Sequence, residues 1–309
     1  MTVFAYLELT ATQEERLKQI AGGEAVRFCT PGAHDSPPAE LEGCDIVFGN
    51  VPPDWIERSP GIRWAQLESV GFGEYAGMLN GPVGRRLTMT NLADFFSVPV
   101  AETALAGVLA LYRGIDRLAL LRGERQWLGD ALRPELRSLH GARVLIFGRG
   151  GIGRQLSELL AAFGCSVTTL GRGWAAEALD EAVAGSDIVV GAAPDTPATC
   201  GVFDRRRLSL MQRGAVFVNV GRGSLVDEEA LADLLQDGRL SGAVIDVTVD
   251  EPLPPDHRFW SCPGLILTQH TGGGTSDEID RKIEHFGRNL ERYRGGEPLV
   301  GEVDATRGY

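Results

Sequence analysis

Residues 143–154 read Arg-Val-Leu-Ile-Phe-Gly-Arg-Gly-Gly-Ile-Gly-Arg, an apolar run followed by a glycine-rich turn. The run has the composition of a buried strand, and residues 154–163 have the periodicity of a helix. Between a strand and a helix, glycines permit a tight turn and close approach of a pyrophosphate to the backbone and the helix amino terminus. The alternative is a purely structural turn. The predicted dinucleotide-binding residues are Gly148, Arg149, Gly150, Gly151, Ile152 and Gly153.

Strand-like runs alternate with helical stretches along the chain, a pattern that predicts parallel sheets with crossover helices. The runs form two blocks. The predicted strands of the first block are residues 3–7, 25–29, 45–49, 64–68 and 87–90. Those of the second block are residues 143–147, 166–170, 187–190, 215–220, 243–247 and 265–268.

Two further segments set the predicted domain organisation. Residues 100–121 are rich in apolar residues and lack an internal proline, which predicts one long helix between the blocks. Residues 277–293 have a helical pattern that would return the chain to the first block. We therefore predict an α/β protein with two Rossmann/flavodoxin-like, doubly wound parallel-sheet domains and a cleft between them. The substrate-binding domain is residues 1–98 plus 277–309, and the dinucleotide-binding domain is residues 99–276.

Size and composition are those of an ordinary globular protein. With 309 residues the chain exceeds the usual size of one core, and its 43% hydrophobic and 23% charged residues are typical of soluble proteins. The formal charge of −12 disfavours nucleic acid or an anionic membrane as partner, because both would repel it. No stretch approaches the roughly 18 uncharged apolar residues of a membrane span. We expect a cytoplasmic protein, since no basic segment precedes the first apolar run.

Cysteines and histidines give no sign of a metal site. The five cysteines are scattered, odd in number and never form a C-x-x-C pair, which indicates reduced, inert thiols. The five histidines do not cluster with cysteines or carboxylates at ligand spacing, and we therefore expect no metal.

The end of the second predicted strand of the second block bears on cofactor choice. An acidic residue there, about 20 residues beyond the glycines, binds the ribose 2′-hydroxyl of NAD. Here the strand ends in Gly171-Arg172, without a carboxylate. Because an arginine can pair with a 2′-phosphate, the sequence favours NADP(H), with NAD(H) as the second choice. The alternative is that Arg172 is a solvated loop residue.

Three charged residues follow the ends of the last three predicted strands: Arg222, Glu251 and His270. Open α/β sheets bind ligands at the carboxyl ends of their strands. Reduction of a 2-oxo acid needs a cation to hold the carboxylate and polarise the carbonyl, and an acid to protonate the alkoxide. Arg222 fits the first role and His270 the second, while Glu251 would favour the protonated imidazole. Taken singly, each residue is more simply explained as structural.

These residues, with others spread along nearly the whole chain, resemble the D-isomer-specific 2-hydroxyacid dehydrogenases. The matching segments are Val70-Gly-Phe-Gly, Thr90-Asn91, Val100-Ala-Glu102, Trp127, the glycine turn, Pro194-Asp-Thr-Pro-Ala-Thr199, Gly221-Arg222-Gly223, Asp246-Val247, Glu251-Pro252, His270 and Gly308-Tyr309. The resemblance implies hydride transfer between NAD(P)H and a small 2-oxo or D-2-hydroxy acid. The cofactor pattern is similar to that of NADP-using glyoxylate and hydroxypyruvate reductases.

The resemblance also assigns roles to individual residues. It implies Arg222, Glu251 and His270 as the catalytic set, with Asp246 orienting the nicotinamide amide. It implies that the long helix and the arm after it build a homodimer. The implied substrate-binding residues are Val70, Gly71, Phe72, Arg222 and His270. The implied cofactor contacts, besides the glycine turn and Arg172, are Pro194, Thr199, Val220, Gly221, Asp246, Gly272 and Gly273.

Two segments of the chain differ from the family pattern. The family usually has proline before the histidine, where this chain has Gln269. Residues 94–97, Asp-Phe-Phe-Ser, would form either an apolar wall for a larger substrate or a packed hinge.

One rival function is that of a nucleotide-binding sensor with little turnover, similar to the related corepressors. The intact catalytic set argues against it. The other is a formate-type dehydrogenase, in which an amide replaces the acid that Glu251 supplies.

Overall fold

The computed structural model describes residues 1–304, and the Gly308-Tyr309 pair lies outside the described residues. The chain divides into two compact units. The split unit consists of Met1–Ala93 with the described residues from Thr275 onward, and the continuous unit is Asp94–Gly274. The predicted roles of the two units, substrate binding and dinucleotide binding, stay predictions.

Strands and helices alternate through both units. The strands are β1 (Thr2–Tyr6), β2 (Ala25–Cys29), β3 (Ile46–Phe48), β4 (Trp64–Gln66), β5 (Thr88–Thr90), β6 (Arg143–Phe147), β7 (Ser166–Leu170), β8 (Ile188–Gly191), β9 (Val216–Asn219), β10 (Gly242–Ile245) and β11 (Leu265–Leu267). The α-helices are α1 (Ala11–Ala21), α2 (Pro53–Arg58), α3 (Ala76–Leu79), α4 (Ser97–Arg113), α5 (Ile115–Glu124), α6 (Gly151–Ala162), α7 (Ala176–Gly185), α8 (Arg205–Leu210), α9 (Glu228–Gln236) and α10 (Glu278–Gly295). Each predicted strand coincides with an observed one, with ends displaced by at most two residues.

The split unit contains a parallel sheet in the order β2-β1-β3-β4-β5. This is the flavodoxin-like order, in which the chain reverses direction across the sheet between β1 and β3. Helix α10 packs on one face through Phe286, whose ring stacks on Phe48 at 4.5 Å and on Trp64 at 5.2 Å between centroids. The return of the chain at α10 therefore completes the core of this unit.

The continuous unit contains a six-stranded parallel sheet in the order β7-β6-β8-β9-β10-β11. The order repeats that of the split unit with one more strand, and its switch point lies between β6 and β8. Apolar clusters cover both faces of the sheet, and the central strands β8, β9 and β10 are buried. Ligands of such sheets bind outside the carboxyl ends of the strands at the switch point. Both sheets confirm the predicted fold class.

The prediction of one long helix over residues 100–121 is wrong. Helix α4 ends at Arg113, and Gly114 has a φ of 63°, a left-handed conformation that ends a helix. A second helix, α5, begins at Ile115 and has no buried residue. Leu120 on α5 and Trp127 just after it are exposed. Within residues 1–304, every helix is too short or too polar to cross a lipid bilayer.

Candidate active site

The glycine turn joins β6 to α6 at the switch point of the continuous unit. Gly148 has a φ of 133°, and a Cβ there would lie 2.4 Å from the carbonyl oxygen of Ala192, which follows β8. A Cβ on Gly153 would lie 2.0 Å from the carbonyl oxygen of Gly148. Both positions therefore need glycine for packing. Around Gly150, by contrast, a Cβ would meet no atom within 4 Å, which leaves the backbone open to a ligand.

The amino terminus of α6 suits a pyrophosphate. Gly150 is its N-cap and supplies no side-chain acceptor for the first N–H groups of the helix. Such N–H groups, together with the helix dipole, bind anions. The Asp94 carboxylate lies at the same turn, and Arg154 Nη2 donates to it at 2.7 Å, which balances its charge. The turn thus fits a dinucleotide.

Glu251 and His270, predicted as partners, lie in contact. Nδ1 of His270 is 2.7 Å from Oε2 of Glu251. Because a carboxylate accepts, Nδ1 carries the hydrogen of this bond, and Nε2 is left to exchange a proton with another molecule. The His270 side chain is 54% exposed, so a ligand can reach it.

Two acidic side chains hold the start of the loop that carries Glu251. The Thr248 N–H donates to Oε1 of Glu251 at 3.0 Å, and the Val249 N–H donates to Oε1 of Glu228 at 2.9 Å. Burial raises the pKa of Glu228, while the Val249 N–H and His257 act in the opposite direction. The loop is therefore fixed by α9, on which Glu228 lies.

Arg222 lies on a turn that packs against this loop. Asn219, the last residue of β9, donates from Nδ2 to the Arg222 carbonyl at 2.9 Å and accepts the Gly221 N–H at 3.2 Å. A Cβ on Gly223 would lie 2.1 Å from the backbone of Thr248. Glycine at position 223 therefore lets the turn carrying Arg222 abut the loop carrying Glu251.

Asp246 organises the segment after β11. Its Oδ1 accepts from Thr268 Oγ1 at 2.5 Å and from the Gly272 N–H at 3.0 Å, and its carbonyl accepts the His270 N–H at 2.6 Å. Oδ2 has no hydrogen-bond donor within residues 1–304 and faces Gly272, where a Cβ would lie 2.7 Å away. Asp246 thus fixes the backbone of His270 and Gly272.

The backbone at the histidine departs from the family pattern. Gln269 has a φ of 52° and His270 a φ of 55°, both in the left-handed region. Proline, whose ring fixes φ near −65°, cannot adopt this conformation. The replacement of the family proline by Gln269 is therefore matched by a different local backbone.

The remaining predicted residues fall into two groups. In the continuous unit, Thr199 Oγ1 donates to the Pro194 carbonyl at 2.7 Å, which fixes the segment after β8. In the split unit, Val70, Gly71 and Phe72 follow the carboxyl end of β4. Asn91 Nδ2 donates to the Val70 carbonyl at 2.7 Å.

The loop after β4 has unused donors. Ser69 Oγ donates to the Gly71 carbonyl at 2.8 Å, which constrains the loop. The N–H groups of residues 70, 71 and 72 donate to no acceptor within residues 1–304. Three adjacent unpaired N–H groups suit a carboxylate.

Sequence reasoning did not assign a role to Asn219, Thr268 or Glu228. Asn219 and Thr268 are polar residues at or just beyond the ends of apolar strands, a signal that could have revealed them. Glu228 gave no such signal, because an acid in the first turn of a helix is ordinary.

Comparison with known proteins decides the family. The model of the D-isomer specific 2-hydroxyacid dehydrogenase NAD binding domain matches residues 105–272, more than half of the chain. The chain belongs to this family. It is an NAD(P)-dependent oxidoreductase with activity of the 2-hydroxyacid dehydrogenase type.

Relatives of this dehydrogenase include two named reductases. A hydroxyphenylpyruvate reductase from Plectranthus scutellarioides is 30% identical over 88% of this chain and 90% of that protein. A glyoxylate/hydroxypyruvate reductase A from Escherichia fergusonii is 29% identical over 86% of this chain and 79% of that protein. Among solved structures, an NADPH-dependent glyoxylate/hydroxypyruvate reductase from Sinorhizobium meliloti, in complex with NADP and sulfate, has a TM-score of 0.80. It is 25% identical, and the match covers 100% of this chain and 99% of that one.

Proposed function

We propose that this dehydrogenase reduces a small 2-oxo acid to the D-2-hydroxy acid, with NADPH preferred over NADH, as a glyoxylate/hydroxypyruvate reductase does. The observation that carries the proposal is the 2.7 Å contact between His270 and Glu251, beside the turn of Arg222. Together, His270, Glu251 and Arg222 supply a proton donor, an orienting carboxylate and a cation at the carboxyl ends of the strands of a nucleotide-binding sheet.

The side chains divide the chemistry among them. The bound nicotinamide supplies the hydride. His270 gives a proton from Nε2 to the forming alkoxide, while Glu251 holds Nδ1 and stabilises the charged ring. Arg222 polarises the carbonyl and offsets the charge that develops on its oxygen. In the oxidative direction His270 accepts the proton instead.

The substrate carboxylate is proposed to bind the backbone N–H groups of Val70, Gly71 and Phe72. Their lack of acceptors within residues 1–304 supports this role. Phe72 itself is buried, so its side chain is structural and only its backbone serves the ligand. Backbone donors bind the carboxylate that all 2-oxo acids share. Other residues must therefore determine which acid is preferred.

The cofactor assignment rests on the two ends of the dinucleotide. At the adenosine end, Gly171 and Arg172 follow β7 without a carboxylate, which favours a 2′-phosphate. At the nicotinamide end, the available Oδ2 of Asp246 would accept the carboxamide N–H. The contacts at Pro194, Thr199, Val220, Gly221, Gly272 and Gly273 are part of the same proposal. The NADP complex of the Sinorhizobium meliloti reductase supports it.

A larger, aromatic 2-oxo acid is the second candidate substrate. Phe95 and Phe96 pack edge to face at 4.8 Å, and a Cβ on Gly273 would lie 2.9 Å from the Phe96 ring. An apolar surface therefore borders the loop after His270. The hydroxyphenylpyruvate reductase among the relatives supports this alternative.

We further propose a cytoplasmic homodimer formed through the continuous unit. Helix α5 buries none of its residues, and Leu120 is 74% and Trp127 93% exposed. Large exposed apolar side chains of this kind are typical of interfaces. The five cysteines are free thiols, in keeping with a reducing compartment.

A steady-state panel tests the proposal. Purified protein is assayed with NADPH and with NADH against glyoxylate, hydroxypyruvate, pyruvate and phenylpyruvate. We expect the highest kcat/KM with NADPH and either glyoxylate or hydroxypyruvate. A higher kcat/KM with phenylpyruvate would favour the second candidate. Oxidation of neither cofactor by any acid would leave a nucleotide-binding sensor as the better explanation.

A further inference from the structure

Arg149, the second residue of the glycine turn, lies against Gly171 just beyond the end of β7. A Cβ on Gly171 would lie 2.9 Å from both Cγ and Cδ of Arg149. The stem of Arg149 therefore occupies the space in which a side chain at position 171 would begin. Arg149 could not keep this position if an acidic side chain replaced Gly171.

The Arg149 guanidinium is anchored at the end of β7. Nη2 donates to the Thr169 carbonyl at 2.8 Å and Nε donates to the same oxygen at 3.3 Å. Nη1 has no acceptor within residues 1–304, and the side chain is exposed. The anchor directs a cation with a remaining donor group toward the strand end beside Gly171 and Arg172.

We propose that Arg149 is a second 2′-phosphate ligand that acts with Arg172 and sets the preference for NADP(H). This inference rests on the proposed function, because it requires the dinucleotide to bind at the glycine turn. In sheets of this type the ribose of the adenosine lies at the end of the second strand. That position corresponds to the end of β7, where Arg149 is held.

Charge explains why the second ligand matters. A doubly charged phosphate must approach a chain with a formal charge of −12, so nearby cations have to overcome the overall repulsion. Arginine only donates hydrogen bonds and matches phosphate oxygens with its fork. A ribose hydroxyl gains less from two guanidinium groups than a phosphate does, so the arrangement discriminates.

The test uses nucleotide fragments, so that binding is measured without turnover. Isothermal titration calorimetry of the full-length protein gives the Kd of 2′,5′-ADP and of 5′-AMP for the wild type, Arg149→Ala and Arg149→Lys. For Arg149→Ala we expect 2′,5′-ADP to bind about tenfold more weakly, the usual effect of one charge-assisted bond, with little change for 5′-AMP. Arg149→Lys should keep part of the preference, since it keeps the charge.

Arg213→Ala is the matched control, because Arg213 is exposed and precedes β9, at the amino ends of the strands, whereas Arg149 lies at their carboxyl ends. It loses one positive charge but should leave both Kd values unchanged. An equal loss of both ligands in Arg149→Ala, or no loss at all, would overturn the role of Arg149. If wild-type protein binds both fragments equally, the 2′-phosphate site is refuted while dinucleotide binding stands. If it binds neither, the dinucleotide site fails as well.

Discussion

In the split unit, buried polar side chains at the ends of β4 and β5 bond to one another and to α10, whereas in the continuous unit buried polar side chains beside the strand ends bond to loop backbone. Trp64 Nε1 donates to Thr90 Oγ1 at 2.9 Å, and Thr90 donates to Gln66 Oε1 at 2.8 Å. Asn289 on α10 donates to the same Gln66 oxygen at 2.9 Å. In the continuous unit, buried Asn219 and Asp246 instead hold the loops that carry Arg222 and His270.

Burying a polar side chain costs free energy of folding, and the two units use such side chains differently. A closed network satisfies its own donors and acceptors, so its removal affects folding. Polar groups that bond to loop backbone instead fix the loops, and the His270 side chain that such a loop carries is exposed. Substitutions in the two units should therefore separate stability from turnover.

The largest effect is expected for His270→Ala. Loss of the general acid should lower kcat by about 10²- to 10⁴-fold, the usual range for such groups. The melting temperature and the Kd for NADPH should stay near the wild-type values, because the imidazole is 54% exposed. Weak NADPH binding with normal turnover would contradict the role of His270.

Asn289→Leu tests the network of the split unit. The Asn289 amide donates to Gln66 and to the Val300 carbonyl, and its oxygen accepts the Val300 N–H, each at 2.9 Å. Loss of these bonds should lower the free energy of unfolding by about 2–3 kcal/mol, measured in urea. The kcat per folded molecule should not change. The control is Glu291→Gln, an exposed position on the same helix, and equal destabilisation by both would refute the network.

Glu251→Gln should have a smaller effect on turnover. The amide can still contact His270 Nδ1 but lacks the charge that stabilises the imidazolium. We expect kcat to fall about tenfold, one charge-assisted bond becoming a neutral one. Rapid-quench or stopped-flow single turnovers would show the loss in the hydride step. An unchanged single-turnover rate would remove Glu251 from the chemistry.

The smallest effect concerns His285, buried on α10. Burial lowers the pKa of His285 from its ordinary value of 6.5, with a further contribution from Arg288. The unfolded chain therefore takes up the proton first, and stability falls as the pH drops below about 6.5. His285→Gln should flatten the pH dependence of the unfolding free energy in that range. Identical curves for both proteins would contradict the effect of burial.

The glycine turn was predictable because its signal is local. Gly148 is required by its contact with the backbone after β8, and Gly153 by its contact with Gly148. Both glycines lie in one short stretch of sequence. The association of Glu251 with His270 was predictable for a different reason. Both follow neighbouring parallel strands, and such ends meet at one edge of a sheet.

Other features depend on contacts that the sequence pattern does not encode. The break at Gly114 was missed because one glycine inside an apolar helical pattern is often tolerated. The pairing of Asn289 with Gln66 joins residues far apart in the chain, and neither has a recognisable motif. Arg149 lies within the predicted turn, but its position over Gly171 depends on side-chain packing between two elements.

The left-handed conformations of Gln269 and His270 limit the use of consensus design to stabilise this enzyme. A designer who restored the common proline at position 269 would demand a rotation of more than 100° about one bond from the present φ of 52°. The imidazole would be carried along with its backbone. Proline at position 269 requires a different loop conformation. Introducing it alone would disturb the present loop without supplying the rest of the other one.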